Sequence, residues 1–340
     1  MKENINIAIV GWGIMGERHY DSLRKYNVDD IFLVRRTAEM PAGKNLKGVY
    51  TSLSDLCSEV DVHAAIICTP SSLHLRDMEV CLRNGVSFLV EKPVVTTMED
   101  AIRLLELCQE NPPRIAMVGY DLRYTQVMLK FKEIINGGID MGKLYFCQWD
   151  AGGYMPQWRP QKDYRSMYSA RSELGGGVAM DLSHEVDAMT WFFGIPEEVT
   201  GKVLQRSTLD IDVDDVAFMS FEYSEKSFTV NITVDYCRVP FTRAIRLVAE
   251  KGTLEIDEVH ETIEWFPVHG NAEKLFQAPA SPVTPFNVEI ENYLEGIVHN
   301  DTSLLRGTTM QEGLNTVGLI EAARKSSRSG KVENVTEFLL

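Results

Sequence analysis

The chain has 340 residues, 44% of them hydrophobic, which suits two domains, each with its own core. There are 34 Lys and Arg against 49 Asp and Glu, giving a net charge of −15. That excess of acid argues against nucleic acid or an anionic membrane as partner. The six cysteines (Cys57, Cys68, Cys81, Cys108, Cys147 and Cys237) show no C-x-x-C spacing. They read as reduced, buried thiols of a cytoplasmic protein, and no metal site is expected. Residues 7–16 have the length of a signal-peptide core. However, Lys2-Glu3 is no basic n-region, and Glu17-Arg18-His19 stands where a small-residue cleavage site would fall. No apolar run approaches membrane-spanning length.

The first strand runs straight into a glycine loop, Ile7-Ala8-Ile9-Val10-Gly11-Trp12-Gly13-Ile14-Met15-Gly16. Four apolar residues before G-x-G-x-x-G, with helical spacing from Glu17 to Tyr26 behind it, match a dinucleotide-binding turn. Gly11 allows the tight turn, Gly13 the approach of a pyrophosphate, and Gly16 close packing of the helix. Further strands are expected at 31–34, 64–68, 87–90 and 115–118. Helix-like stretches near 54–58, 75–84 and 98–110 alternate with them. This alternation predicts a doubly wound parallel sheet, the Rossmann arrangement, over residues 1–120. Ligands of such sheets sit at the carboxyl ends of the strands.

Three segments lie at those ends. Val34-Arg35-Arg36-Thr37 has no carboxylate where a ribose 2′-hydroxyl would be bound, and two guanidiniums suit a 2′-phosphate, so NADP is favoured over NAD. The alternative is an exposed Arg pair without a ligand. Cys68-Thr69-Pro70-Ser71-Ser72-Leu73-His74 reads as a strand-to-helix turn, with Ser71 or Ser72 as cap; His74 taken alone is a helix-start histidine. Val90-Glu91-Lys92-Pro93 sets a lysine at a strand mouth, where it can act as acid or base or stabilise an alkoxide. A solvated lysine opening a loop is the alternative.

From residue 121 the pattern changes. A helix over 122–135 is stopped by Asn136-Gly137-Gly138, and a strand over 144–150 opens a second domain, 121–340. Tyr154, Trp158, Arg159, Tyr164, Arg165, Tyr168 and Arg171 crowd one loop. These arginines either anchor a carboxylate or phosphate, or simply pair with Asp163 and Glu173. Gly175-Gly176-Gly177 leads into a helix expected to run to Phe193, with Asp181, His184 and Asp187 on one face. A His beside an Asp is oriented for proton transfer, although a lone helical His is more often structural. Residues 199–267 alternate apolar and polar, which predicts a large, mostly antiparallel sheet in an α+β domain. The acidic run 210–215 lacks the glycine and distal glutamate of a calcium loop and reads as a solvated turn. Residues 279–285 form a three-proline rigid loop, and residues 286–298 and 309–323 the last helices.

The order of these segments resembles the Gfo/Idh/MocA oxidoreductases. It is carried by Gly11-Trp12-Gly13-Ile14-Met15-Gly16 with His19, Thr69-Pro70 with His74, Glu91-Lys92-Pro93, Gly119-Tyr120 with Arg123-Tyr124, and Gly175-Gly176-Gly177 through to Asp187. It reaches the closing helix near Glu321-Ala322-Ala323 and so spans nearly the whole chain. The resemblance implies catalysis by Lys92 and His184 with Asp181 orienting the imidazole. Here His184 follows Asp181 by three residues, where many relatives have four. It implies a cofactor site of Gly11, Trp12, Gly13, Ile14, Met15, Gly16, Arg35, Arg36, Cys68, Thr69, Pro70, His74, Glu91, Lys92, Trp158 and Arg159. The substrate would meet Lys92, Arg123, Tyr154, Trp158, Arg159, Tyr168 and His184. The implied function is NAD(P)-dependent hydride transfer to or from a secondary alcohol or ketone of a sugar, cyclitol or sugar-derived compound, without a metal. The open face of the second sheet would pair subunits into a homodimer or homotetramer. A cofactor-binding sensor without turnover and a same-fold reductase of carbon–carbon double bonds remain as alternatives.

Overall fold

The computed structural model describes residues 5–28 and 30–340; the Lys2-Glu3 pair weighed above lies outside them. The chain divides into two compact units. Unit 1 comprises Met1–Asp121, Val283–Leu314 and Leu340, and unit 2 comprises Leu122–Pro282 and Asn315–Leu339.

Unit 1 alternates strand and helix as its apolar runs dictate: β1 (Ile7–Val10), α1 (Ile14–Lys25), β2 (Ile31–Val34), β3 (Gly48–Tyr50), α2 (Leu53–Glu59), β4 (Ala64–Ile67), α3 (His74–Arg83), β5 (Ser87–Glu91), α4 (Met98–Glu110) and β6 (Ala116–Gly119). The six strands are all parallel, in the order β3-β2-β1-β4-β5-β6. Strands β1 and β4 are buried on both faces, which is why they read as unbroken apolar runs. Chain order reverses at β1, and the crevice beyond the carboxyl ends of β1 and β4 is where such sheets take ligands. Threonine and serine hydroxyls start two of the helices: Ser52 accepts from Asp55 N, and Thr97 from Asp100 N. The three-residue β3 gave no periodic signal.

Residues 283–314 lie across the boundary from where a single cut after residue 120 would put them. Helix α9 (Pro285–His299) opens with a capping box of Thr284 and Asn287. It buries Ile290, Tyr293 and Leu294 in the same core as Ile7, Ile9, Leu23, Ile31 and Ile66. Tyr293 Oη donates to Ala65 O at 3.2 Å, and Asn287 Nδ2 to Ser22 Oγ at 2.8 Å. Farther on, Val118 N donates to Thr308 O at 2.9 Å, so the returning segment also touches the edge strand β6.

Unit 2 holds a nine-stranded sheet. Its strands are β7 (Leu144–Gly152), β8 (Glu198–Leu204), β9 (Val216–Tyr223), β10 (Phe228–Asp235), β11 (Thr242–Ala249), β12 (Gly252–Asp257), β13 (Thr262–Pro267), β14 (Glu273–Gln277) and β15 (Glu333–Asn334), in the order β14-β13-β12-β11-β7-β10-β9-β8-β15. Every pair is antiparallel except β7 with β10. One face is apolar and covered. Phe131 of α5 (Gln126–Glu133) and Phe192 of α8 (His184–Phe193) meet 4.6 Å apart, and Phe192 stacks on the buried Trp149 of β7. The other face carries Phe146, Phe218 and Phe266 among polar residues.

Two helices differ from their periodicity. The run 122–135 splits into a tight turn over Asp121–Tyr124, helix α5, and a wide turn ending at Gly137 with φ +112°. The helix expected from Val178 to Phe193 breaks into α7 (Val178–Asp181) and α8, because Leu182 (φ −97°, ψ 39°) leaves the helical region. Asp181, His184 and Asp187 therefore do not share the face of one helix. The remaining helices are α6 (Met155–Trp158) and α10 (Met310–Ser329).

Candidate cofactor and substrate sites

In unit 1 the glycine turn is built by two close backbone approaches. Gly11 has φ +98°, and a Cβ there would stand 2.7 Å from Cys68 O. A Cβ on Gly16 would stand 2.3 Å from Gly11 O, so only glycine lets α1 close onto the turn. Gly13 is the opposite case: it is exposed, and its Cβ would meet nothing within 4 Å. It is also the N-cap of α1 and supplies no side-chain cap. The first-turn amides, at Ile14 and Met15, therefore face the open side with the positive end of the helix dipole, a setting suited to pyrophosphate. Trp12 beside them lies edge-on to Tyr20, 5.9 Å away.

At the end of β2, Arg35 is half-buried and its backbone N–H donates to Tyr50 O at 3.0 Å. Among the described residues neither Arg35 nor the exposed Arg36 pairs with a carboxylate; Arg35 reaches only Glu39 O, at 3.5 Å. The ends of β4 and β5 are tied together. The buried His74 sets Nε2 2.9 Å from Thr69 O and Nδ1 2.9 Å from Pro93 O. Burial lowers its pKa, against the pull of the two carbonyls, Glu91 and Asp77. His74 is thus a brace tying Thr69, just past β4, to Pro93, just past β5. Neither Ser71 nor Ser72 caps α3, whose N-cap is Leu73.

Lys92 follows directly on β5 and is half-buried. Its neighbour Glu91 turns inward, where His19 Nε2 donates to Glu91 Oε1 at 2.8 Å and the Phe286 ring lies 4.6 Å from the imidazole. One turn beyond Phe286 on α9, Glu289 is fully buried, and neither of its oxygens has a hydrogen-bond partner among the described residues. Burial, with Asp121 and Glu91 nearby, pushes this carboxyl well above the usual carboxylate range. The same burial, with Glu91 and Glu289, raises the Cys68 thiol.

In unit 2 the carboxylate of Asp181 accepts from two phenols, Tyr168 Oη and, at 3.2 Å, Tyr236 Oη. Tyr236 is buried, and burial with Asp181 beside it raises its hydroxyl well above the ordinary value, so it remains a donor. Trp158 stands edge-on to Tyr236 with centroids 5.2 Å apart. The loop arginines separate. Arg165 pairs with Asp163 and Asp210, and Arg171 with Glu173, all exposed. Arg159 is half-buried and makes no side-chain bond among the described residues. Tyr154 is exposed at the start of α6. Arg123 and Asp187 form a bidentate ion pair, 2.9 and 2.8 Å long, with both side chains buried. His184, half-buried, opens α8.

The acidic run is not a solvated turn. Asp212 accepts from Ser172 N and Oγ, both at 2.8 Å, just before the three glycines. Asp214 accepts from Ala179 N at 2.9 Å and from Arg324 Nη2 at 3.0 Å. The buried Asp215 accepts from Arg206 N and from Ser207 N and Oγ. The partners of Asp212 and Asp214 lie 35 or more residues off in sequence, so composition shows only the charge. Among the described residues no group of three or more His, Cys, Asp or Glu is placed to hold a metal ion.

Residues 5–120 match the model of the oxidoreductase family with an NAD-binding Rossmann fold, and residues 128–255 match that of the GFO/IDH/MocA C-terminal domain. The chain belongs to the GFO/IDH/MocA oxidoreductase family. It is 30% identical over 186 residues to a 2,7-anhydro-N-acetylneuraminate hydratase of Mediterraneibacter gnavus, covering 54% of this chain and 48% of that protein. It is 21% identical to inositol 2-dehydrogenase 3 of Saccharopolyspora erythraea, covering 96% and 94%. The matches to the first three curated relatives span only about half to three-fifths of those proteins' length, 48% to 62%. Among solved structures, the WlbA dehydrogenase of Bordetella pertussis, in complex with NADH and UDP-GlcNAcA, has the same fold, with TM-score 0.80, 22% identity and 98% and 99% coverage.

Within this GFO/IDH/MocA chain, Tyr236, Glu289 and Asp214 were missed. Each is set apart by burial or by a contact that arises only on folding, although the position of Tyr236 just past a strand end was visible. Two outcomes are expected. A carboxyl whose folded pKa is raised holds a proton that the unfolded chain releases, so stability falls as pH rises above the ordinary glutamate value of 4.5. Glu289→Gln removes that loss. Urea unfolding should show the variant gaining on the parent by up to about 1.4 kcal/mol per pH unit above that value; parallel curves would refute it. Arg123→Met strands a buried Asp187 and should cost about 3–5 kcal/mol in the same assay, while Arg123→Met with Asp187→Leu recovers most of it.

Proposed function

We propose that the chain is an NAD(P)-dependent dehydrogenase or reductase acting on a secondary alcohol or ketone of a sugar, cyclitol or sugar-derived compound. The observation that carries this reading is the glycine turn: two crowded glycines close it, and an open, uncapped helix terminus lies at Gly13. The residues of that turn fit a dinucleotide, and when bound its nicotinamide supplies or takes up a hydride. In this reading Lys92 Nζ and the His184 imidazole hold and move the hydroxyl proton. Asp181, held by two phenols, keeps the approach to His184 in place. Arg35 and Arg36, with no carboxylate partner among the described residues, favour a 2′-phosphate and hence NADP. Arg159 with Trp158, Tyr154 and Tyr168 suits a hydroxylated substrate bearing a carboxylate or phosphate. We place the protein in the cytoplasm. A second copy meets the outer sheet face at Phe146, Phe218 and Phe266, as a homodimer or homotetramer; sedimentation as a monomer at micromolar concentration would reject that pairing.

One observation favours a second reading: the 30% identity to a hydratase. Net water addition would leave nicotinamide absorbance unchanged while the product gains the mass of water.

The test is a panel of inositols, keto-sugars and sugar acids with NADPH or NADP. Lys92→Ala and His184→Ala should each lower kcat by about 10²–10⁴ while NADPH binding, followed by fluorescence, survives. Unchanged turnover in both would end the assignment. Arg35→Ala should weaken NADPH about tenfold and leave NADH binding as it was.

A further inference from the structure

Helix α7 is a single turn, yet it carries Asp181 to its two phenols. Its N-cap, Gly177, has φ +115° and offers no side chain to its amides. The cap comes instead from Asp214, more than thirty residues along the chain. Asp214 O accepts from Val178 N at 2.9 Å, and Asp214 Oδ2 accepts from Ala179 N at 2.9 Å. A Cβ on Gly177 would stand 2.6 Å from Asp214 Oδ1, so glycine is what lets the carboxylate in. On its far side the carboxylate is held by Arg324 of α10, which also pairs with Glu321. Arg324 is mostly buried, and its charge is favoured by both acids. Asp212 fixes the other end of the glycine turn through Ser172. The acidic run thus grips the three-glycine segment on both sides.

We propose that Asp214, held by Arg324, is a positioning residue that fixes α7 and so sets the placement of Asp181 and His184. The assignment rests on the proposed catalytic role of those two residues. The carboxylate caps the Ala179 amide, which would otherwise be unsatisfied, and its charge lies at the positive end of the turn. Loss of the cap frees α7 to fray, and small misplacements of a proton-transfer group cost rate rather than binding.

Hydrogen exchange read by peptide mass spectrometry on the full chain tests the clamp without any substrate. In Asp214→Ala, peptides covering 172–184 should exchange about fivefold to tenfold faster, the worth of one cap, while β11 and β12 are unchanged. Asp214→Asn keeps one acceptor oxygen for two partners and should exchange faster than the parent but slower than Asp214→Ala. Arg324→Met, which leaves the carboxylate but not its holder, should fall between. Acceleration spread evenly over unit 2, or none in 172–184, overturns the proposal. On the polyol with the highest turnover and NADP+, kcat of Asp214→Ala should drop about tenfold with NADPH affinity retained, and Asp214→Asn should recover part of it. Parental kcat in a variant whose 172–184 exchange is accelerated also overturns it. If no polyol is turned over by the parent, the dehydrogenase reading fails, and the exchange pattern still decides whether Asp214 holds α7.

Discussion

The approach of one backbone to another at Gly11 is the constraint on which unit 1 depends. The turn after β1 can pass the end of β4 only because no Cβ intervenes, and α1 can fold back only because Gly16 adds none. From that follow the exposed amides at the start of α1 and the alignment of the ends of β1, β4 and β5. Everything then set around the crevice has its own brace. His74 joins Thr69 to Pro93, and His19 holds Glu91 beside Lys92. The strand mouths are cross-tied by two buried imidazoles, one on a pair of backbone carbonyls and one on a carboxylate.

Unit 2 meets a similar demand by different means. Its sheet is a broad apolar floor, and the segment 172–187 is irregular, made of single turns and glycines. Irregular backbone needs partners for its polar groups. The acidic run supplies them at Ser172, Val178 and Ala179, and the two phenols supply them at Asp181. The Arg123–Asp187 pair then anchors the start of α8 to the turn that precedes α5.

What could be read from residues alone follows the range of the interaction that fixes them. Strands such as β1, β2 and β9 and helices such as α4 are dictated by neighbours a few positions away, so their apolar pattern sufficed. The glycine turn and the placement of Lys92 after β5 were legible for the same reason. The break at Leu182 was not, because nothing local distinguishes Leu-Ser from the middle of a helix; the carboxylate of Asp214 and the two tyrosines hold α7 apart. Arg123, set beside the substrate by resemblance, has a buried partner in Asp187 that its place in the sequence does not show. Of the loop arginines, two found the neighbouring acids that were visible beside them, and Arg159 alone did not.

Helix α9 closes the core of unit 1 with Ile290, Tyr293 and Leu294, yet it is encoded after eight of the nine strands of the unit 2 sheet. During synthesis the six parallel strands therefore emerge long before the helix that covers them. An incomplete first unit, with Ile7, Ile9 and Ile66 lacking their cover, must persist while residues 120–299 are added, a delay set by elongation at about 5–20 residues per second. For this chain the nascent state is an interrupted unit waiting on its own distant segment, and the vectorial, one-domain-at-a-time route is closed to it.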